Sequence, residues 1–147
     1  MSSYSYVELL RRRARSFLSY AEEALTRRDY DLACFFAEQA LQLYLKALIL
    51  RILGYTPRTH RLTELLGIVT RALRELGRQD LADRISSELR KWRRDIAMLV
   101  DAYTGARYLH HAYEKEDAEV CIDIAKRVLG LLQVVEREVF SYGGSGD

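Results

Sequence analysis

Several residues able to do chemistry lie together in one segment of the sequence. The segment YTGARYLHHAYEKEDAE, residues 103–119, contains an arginine, three tyrosines and two adjacent histidines. Arg107 can hold a phosphate or the charge of a transition state. His111 can move protons, because an imidazole changes charge near neutral pH. The pair predicts metal-independent RNA cleavage, in which a ribose 2′-hydroxyl attacks its own phosphate, although a structural connection between helices would use the same residue types.

Motifs for other kinds of site are missing from the sequence. It contains no phosphate-binding glycine loop, no paired-cysteine zinc pattern and no HExxH helix. The histidines, His60, His110 and His111, are too few and too scattered for a metal site. We therefore expect no metal and no cofactor. Cys34 and Cys121 stand among apolar residues, which indicates buried free thiols, with an internal disulfide as the alternative in a hyperthermophile.

The composition predicts one all-α domain. Apolar residues make up 49% of the 147 residues, and a single proline and eight glycines favour long helices. The net charge of +2 does not by itself indicate a nucleic-acid binder, but 19 of the 23 basic residues are arginine, which suits phosphate or carboxylate. The absence of asparagine points to a thermophilic source.

The sequence shows no apolar run of the kind found in signal peptides or membrane spans. Its first sixteen residues are MSSYSYVELLRRRARS, and no window approaches eighteen consecutive apolar residues. We expect a cytoplasmic protein without a membrane partner.

Hydrophobic periodicity predicts an up-and-down antiparallel helical bundle of four long helices and one shorter helix. The helical segments cover approximately residues 6–28, 29–53, 59–76, 80–103 and 116–140. The bundle domain would extend over residues 1–141, followed by a flexible, glycine-rich tail over residues 142–147.

The second segment is apolar around most of its circumference, which is typical of a central helix. Its main polar line, Glu38, Gln42 and Lys46, repeats every four residues and so lies on one face. This line is either a solvated strip or the floor of a groove. The last segment has two apolar faces, which indicate either full burial in one chain or packing against a second copy in a homodimer.

Three pieces of sequence, in this order, resemble the HEPN domain, named for higher eukaryotes and prokaryotes nucleotide-binding. They are residues 14–50, the continuation GYTPRTHRLTELL at 54–66, and AYTGARY at 102–108. The last piece resembles the Arg-Tyr subgroup of that family. The resemblance implies a helical bundle that commonly forms dimers. It also implies either a partner of a minimal nucleotidyltransferase, in a toxin-antitoxin-like system, or a ribonuclease.

The resemblance also assigns site residues. Arg107 and Tyr108 match the arginine-tyrosine pair, Lys46 matches a lysine in the second helix, and His60 matches the histidine that opens the third. In the ribonuclease pattern four to six residues separate arginine from histidine, whereas three separate Arg107 from His111.

Three hypotheses follow for the function. In the first, the chain binds nucleotide or RNA beside a nucleotidyltransferase, with Arg107 and Lys46 on phosphate, Tyr108 stacked on a base and His60 as a hydrogen-bonding group. In the second, Arg107 and His111 form a ribonuclease site. In the third, the chain is a non-catalytic interaction module in which Arg107 makes a structural salt bridge.

Overall fold

The protein is an all-α bundle, as the sequence predicts. The structure, a computed structural model, describes residues 2–108 and 112–145, with side chains described for residues 2–102 and 112–141. In these ranges the chain forms helices and no strand. The helices are α1 (Ser3–Thr26), α2 (Tyr30–Leu53), α3 (Leu62–Glu75), α4 (Gln79–Lys91), α5 (Arg93–Tyr108) and α6 (Lys115–Ser145).

Helix α2 is the central helix, because α1, α3, α5 and α6 all pack against it. A short turn reverses the chain between α1 and α2, so these two helices are antiparallel. Helix α6 runs parallel to α2: Cys34 near the start of α2 donates to the carbonyl of Asp117, and Tyr44 further along α2 contacts Glu136. The long apolar circumference of α2 is therefore buried by its neighbours, which is why its sequence is apolar nearly all round.

Helix α2 ends at a glycine in the left-handed conformation. Gly54 has φ 83° and its N–H donates to the carbonyl of Leu50 at 2.9 Å. This backbone conformation is disfavoured for residues with a Cβ, so a glycine at this position ends the helix at low cost. The following loop then turns back to begin α3.

The predicted fourth helix over residues 80–103 is wrong as a single element, because it divides at Trp92. The Trp92 N–H donates to the carbonyl of Glu88, and the Trp92 carbonyl accepts from the N–H of Ile96, so the bend leaves these hydrogen bonds intact. The two halves have different partners: α4 packs against α3, and α5 packs against α2. A straight helix cannot hold one apolar stripe against both, which accounts for the bend.

The last helix extends further than the predicted segment. Helix α6 continues to Ser145, into the residues expected to form a tail, while Gly146 and Asp147 lie outside the described residues. The flexibility of residues 142–147 stays a prediction.

One buried carboxylate joins α1, α2 and α6. Glu136 on α6 is 6% exposed and accepts hydrogen bonds from Tyr44 and Arg51 of α2, both at 2.5 Å. Arg11 of α1 forms an ion pair with the same carboxylate. Burial raises the pKa of Tyr44, although Arg11 and Arg51 act in the opposite direction. The phenol thus stays protonated and remains a donor to Glu136.

The two cysteines are buried and free, in agreement with the thiol interpretation. A hydrogen bond with Cys121, together with burial, raises the pKa of the Cys34 thiol. A thiol that stays protonated is a poor nucleophile. Cys34 therefore serves packing between α2 and α6.

Helix α2 is long and apolar enough to cross a membrane by length and composition alone. However, 67% of its most apolar window is buried inside the bundle. The core helix of a globular domain has the same composition, so the burial of α2 accounts for its hydropathy.

The central role of α2 predicts unequal effects of the same substitution at two of its leucines. Leu45 is fully buried and Leu53 is 40% exposed. Leu45→Ala is expected to lower the free energy of unfolding by about 2–5 kcal/mol, because it leaves a cavity. Leu53→Ala serves as the matched control and is expected to cost less than about 1 kcal/mol. Urea unfolding followed by circular dichroism measures both, and equal losses would contradict the central position of α2.

Candidate nucleotide-binding site

Two of the residues expected to bind nucleotide lie side by side. Lys46 extends from the middle of α2 and His60 stands in the loop before α3, and the Lys46 Nζ is 3.0 Å from the His60 Nδ1. Lys46 is half-buried and His60 is exposed. A lysine and a histidine separated by thirteen residues in sequence are thus within hydrogen-bonding distance at the surface of the bundle.

The loop before α3 holds His60 in place. Thr59 hydrogen-bonds through its hydroxyl to the Glu64 carboxylate in the first turn of α3. The same hydroxyl accepts from the N–H of Arg61 at 3.2 Å. His60 lies between these two anchored residues, so its backbone is fixed relative to α3.

Gln42 sets the second contact of the imidazole. Its amide nitrogen donates to the carboxylate of Glu38 at 3.0 Å, which leaves its amide oxygen directed at the Nδ1 of His60, 3.2 Å away. Glu38 is 1% exposed and Gln42 is 4% exposed, and Gln39 also donates to Glu38. A buried carboxylate accepts only, so it fixes which way the Gln42 amide faces.

The two contacts of the His60 Nδ1 require different tautomers. When Nδ1 accepts from the Lys46 ammonium, the ring proton lies on Nε2, which is then a donor. When Nδ1 carries the proton, it donates to the Gln42 oxygen and Nε2 becomes an acceptor. Whether Nε2 is a donor or an acceptor therefore depends on which partner Nδ1 takes.

The charge of Lys46 is balanced between burial and a nearby carboxylate. Partial burial lowers the pKa of Lys46, while the negative charge of Glu38 raises it in part. An ammonium that is already partly dehydrated has a smaller desolvation cost when it binds a phosphate. This makes Lys46 suited to anion binding at the edge of the site.

The remaining predicted residues lie on α5 and just after it. Arg107 and Tyr108 are the last two residues of α5, and their side chains are outside the described part of the structure. His110 and His111 are also outside the described residues. The grouping of Arg107, Tyr108 and His111 with the Lys46–His60 pair stays a prediction.

The backbone that follows these residues is attached to the beginning of α2. Ala102 on α5 is fully buried, and α6 is held to α2 where Cys34 donates to the Asp117 carbonyl at 3.5 Å. The Asp117 carboxylate caps the segment before α6 by accepting from the N–H of Glu114. Cys34 lies one helical turn before Glu38 on the same face of α2. The α6 end of this connection is therefore anchored near the start of α2, one helical turn before Glu38.

Tyr113 in this connection has a perturbed hydroxyl. Burial raises the pKa of Tyr113 to about 12, and the nearby Asp101 and Asp117 carboxylates add to this effect. The phenol is therefore neutral at physiological pH and able to donate a hydrogen bond.

The solvated-strip interpretation of the polar line on α2 is wrong. Glu38 and Gln42 are buried, and only Lys46 reaches the surface. Helical spacing places the three on one face but does not reveal what covers that face. Helical spacing alone therefore did not predict that Gln42 orients His60. The position of this glutamine, one helical turn before Lys46, could have indicated a contact with the candidate site.

A family model described as HEPN domain matches residues 7–135, which is most of the chain. The chain belongs to the HEPN domain family. In a sequence comparison no curated protein matches it. Membership in the HEPN family supports a nucleotide- or RNA-binding role, or a ribonuclease-like one. Among the described residues of this HEPN domain, no group of three or more His, Cys, Asp or Glu side chains is arranged to hold a metal ion.

The electrostatic balance at Lys46 is testable by NMR, because the chain has only four lysines. In protein labelled at the lysine ε-carbons, the pKa of Lys46 should be lower in the folded chain than in the chain unfolded in urea. Glu38→Gln should lower this pKa further, because it removes the carboxylate that raises it. The contribution of Lys46 to stability should accordingly rise as the pH rises from its folded-state pKa to its unfolded-state pKa.

Glu22→Gln is the matched control for this titration, because Glu22 pairs with Lys126 between α1 and α6. It should leave the Lys46 titration unchanged, and Lys46→Arg identifies the resonance by its loss. A Lys46 pKa that rises in Glu38→Gln would contradict the described arrangement.

Proposed function

We propose that this HEPN-domain protein binds nucleotide or RNA at the Lys46–His60 pair, as the partner of a minimal nucleotidyltransferase. The observation that carries the proposal is the 3.0 Å contact between the Lys46 Nζ and the His60 Nδ1. A half-buried ammonium beside an exposed imidazole offers one phosphate a charge and a hydrogen-bond donor at once.

The proposed site also includes Arg107 and Tyr108. In the proposal the guanidinium of Arg107 binds a second phosphate or shares the first, and the ring of Tyr108 stacks on a base. Both residues end α5, whose following connection is attached near Cys34 at the start of the α2 polar line. Arg107 and Tyr108 lie within the HEPN match over residues 7–135, and their agreement with the family's arginine-tyrosine pair supports this grouping.

The chain's chemistry favours binding over cleavage. The Nδ1 of the His60 imidazole lies within hydrogen-bonding distance of both Lys46 and Gln42, and it bonds one of them in each tautomer. The spacing from Arg107 to His111 differs from the ribonuclease pattern of the family. We therefore place the ribonuclease activity of Arg107 and His111 second, as an outcome that the same experiment detects.

Lys46→Gln is expected to weaken binding of a fluorescently labelled single-stranded RNA by about 3- to 10-fold, because one phosphate contact is lost. The salt dependence should change as well: the slope of log K against log salt should fall by about 0.7, the value for one contact on a single strand. Fluorescence anisotropy in EDTA over a range of salt concentrations measures both quantities. Lys126→Gln, on the α1–α6 side of the bundle, is the control of equal charge.

Gels of the same samples separate the three functions. Intact RNA with weaker binding in Lys46→Gln and Arg107→Ala supports a binding protein. Cleavage in EDTA that is lost in both Arg107→Ala and His111→Ala would identify a ribonuclease and overturn the non-catalytic proposal. No RNA or nucleotide binding by the wild-type chain would leave an interaction module.

The partnership predicts that a minimal nucleotidyltransferase is encoded beside this chain, and it is tested with that protein. Co-expression should yield a complex that elutes together in size-exclusion chromatography, and the mass of the complex also tests the proposed homodimer. Separate elution of the two proteins at micromolar concentration would contradict the partnership without affecting the RNA-binding result.

A further inference from the structure

A second concave surface lies on another side of α2, between α1, α2 and α6. It encloses a volume of about 580 Å³, within the range of small-molecule sites. Four arginines line it: Arg11 and Arg15 from α1, Arg51 from α2 and Arg137 from α6. We call this surface the arginine cleft. It shares no residue with the Lys46–His60 pair.

The arginine cleft carries more positive than negative charge. Among the described residues, Glu136 is the only acidic one that lines the cleft, and its carboxylate is already held by Tyr44, Arg11 and Arg51. Glu8 adds a second carboxylate to Arg11, at 2.9 Å.

Two of the four guanidinium groups are left without an acidic neighbour. Within residues 2–102 and 112–141, Arg15 and Arg137 have no carboxylate within 4.0 Å. Both side chains are exposed at the mouth of the cleft.

This arrangement has an electrostatic cost to the bundle. Arg11 and Arg15 are four residues apart on one helix face, where like charges destabilise. Burial, and next the positive charge of Arg11, lower the pKa of Arg51, which also stacks on the ring of Phe140 at 3.9 Å. An anion bound among the four arginines of the cleft would offset this repulsion.

The rest of the lining selects among anions. Ala14, Leu18 and Leu129 form an apolar wall, while Gln133 and Ser141 add hydrogen-bonding groups. A carboxylate would neutralise one of the two unmatched guanidinium groups, whereas a phosphate monoester carries nearly two negative charges at neutral pH and neutralises both. A surface that follows the backbone of RNA would be an open groove, whereas this cleft has room for one small molecule.

We infer that the arginine cleft binds the phosphate monoester of a small organic molecule. Arg15 and Arg137 hold the phosphate, and the apolar body of the ligand packs against Leu18 and Leu129. Arg11 and Arg51 stay bound to Glu136 and keep the floor of the cleft rigid. This site is independent of the proposed function at Lys46 and His60.

The probe is 1-naphthyl phosphate, titrated into the full chain by isothermal titration calorimetry, with inorganic phosphate and 1-naphthol as the two halves of the ligand. We expect 1-naphthyl phosphate to bind at least about ten-fold more tightly than either half, because it uses both the charge and the apolar wall. No heat from 1-naphthyl phosphate at millimolar concentration, or equal affinity for 1-naphthol, would overturn the proposal.

Paired variants locate the site. Arg15→Gln with Arg137→Gln should weaken 1-naphthyl phosphate binding by about ten-fold or more, because two charge-assisted contacts are lost. The control, Arg12→Gln with Arg127→Gln, makes the same change of net charge on the same two helices outside the cleft, and we expect less than about two-fold change. Both pairs replace exposed side chains, and circular dichroism checks that the fold is retained.

The remaining outcomes are equally decisive. Equal weakening in both double variants would show general surface charge and overturn the site. Weakening in Lys46→Gln alone would place the phosphate at the other site and overturn the proposal. Binding of a single-stranded RNA that depends on Arg15 and Arg137, without binding of the monoester, would make the cleft an RNA surface instead.

Discussion

The burial of α2 on nearly every side is the constraint on which the structure depends. Four helices pack against it, so any polar group on its buried faces must find its partner inside the protein. The structure meets this demand: among the described side chains, no buried nitrogen or oxygen lacks a hydrogen-bond partner. Glu38 is bonded by neighbouring amides of α2, and Tyr44 is bonded by a carboxylate that α6 supplies.

The two buried carboxylates, Glu38 and Glu136, have different electrostatic effects on their surroundings. Glu38 accepts hydrogen bonds from the neutral amides of Gln39 and Gln42, and its carboxylate raises the pKa of Lys46. Glu136 is held by two guanidinium groups, so its charge is more than offset and its surroundings are positive. The same residue type thus supports a surface lysine in one place and a basic cleft in the other, because different partners surround it.

The sequence was sufficient for the helices and the core but not for the bend or the polar contacts. Helix α2 was identified as the central helix because its segment is apolar around most of its circumference, which the sequence of that segment alone reveals. Apolar periodicity did not predict the division at Trp92. One continuous apolar stripe covers both α4 and α5, even though the two helices pack against different partners. The pairing of Glu136 with Arg51 joins residues 85 positions apart, and helical periodicity carries no information on such a distance.

Some residues of the candidate site were named from the sequence, through the family resemblance and not through hydrophobic periodicity. Lys46 and His60 were named together through the resemblance to the HEPN domain, since no spacing rule connects a mid-helix lysine to a loop histidine. The two side chains lie 3.0 Å apart in the structure, and nucleotide binding by them stays a prediction. Gln42 was assigned to the polar line without a role, because its orientation depends on the buried Glu38. Arg107, Tyr108 and His111 remain sequence predictions.

The position of α6 along the chain has a consequence for how the protein is made. Helices α1 and α2 form the most extensive contact in the bundle and are adjacent in sequence, so they can associate as a hairpin early. Asp117, which meets Cys34, is 83 residues further on, and at about 5–20 residues per second a ribosome needs roughly 4–17 s to add them. During that interval the face of α2 that α6 will cover is apolar and open. Exposed apolar surface favours aggregation, so we expect slower translation through α3 to α5 to lower the yield of native protein.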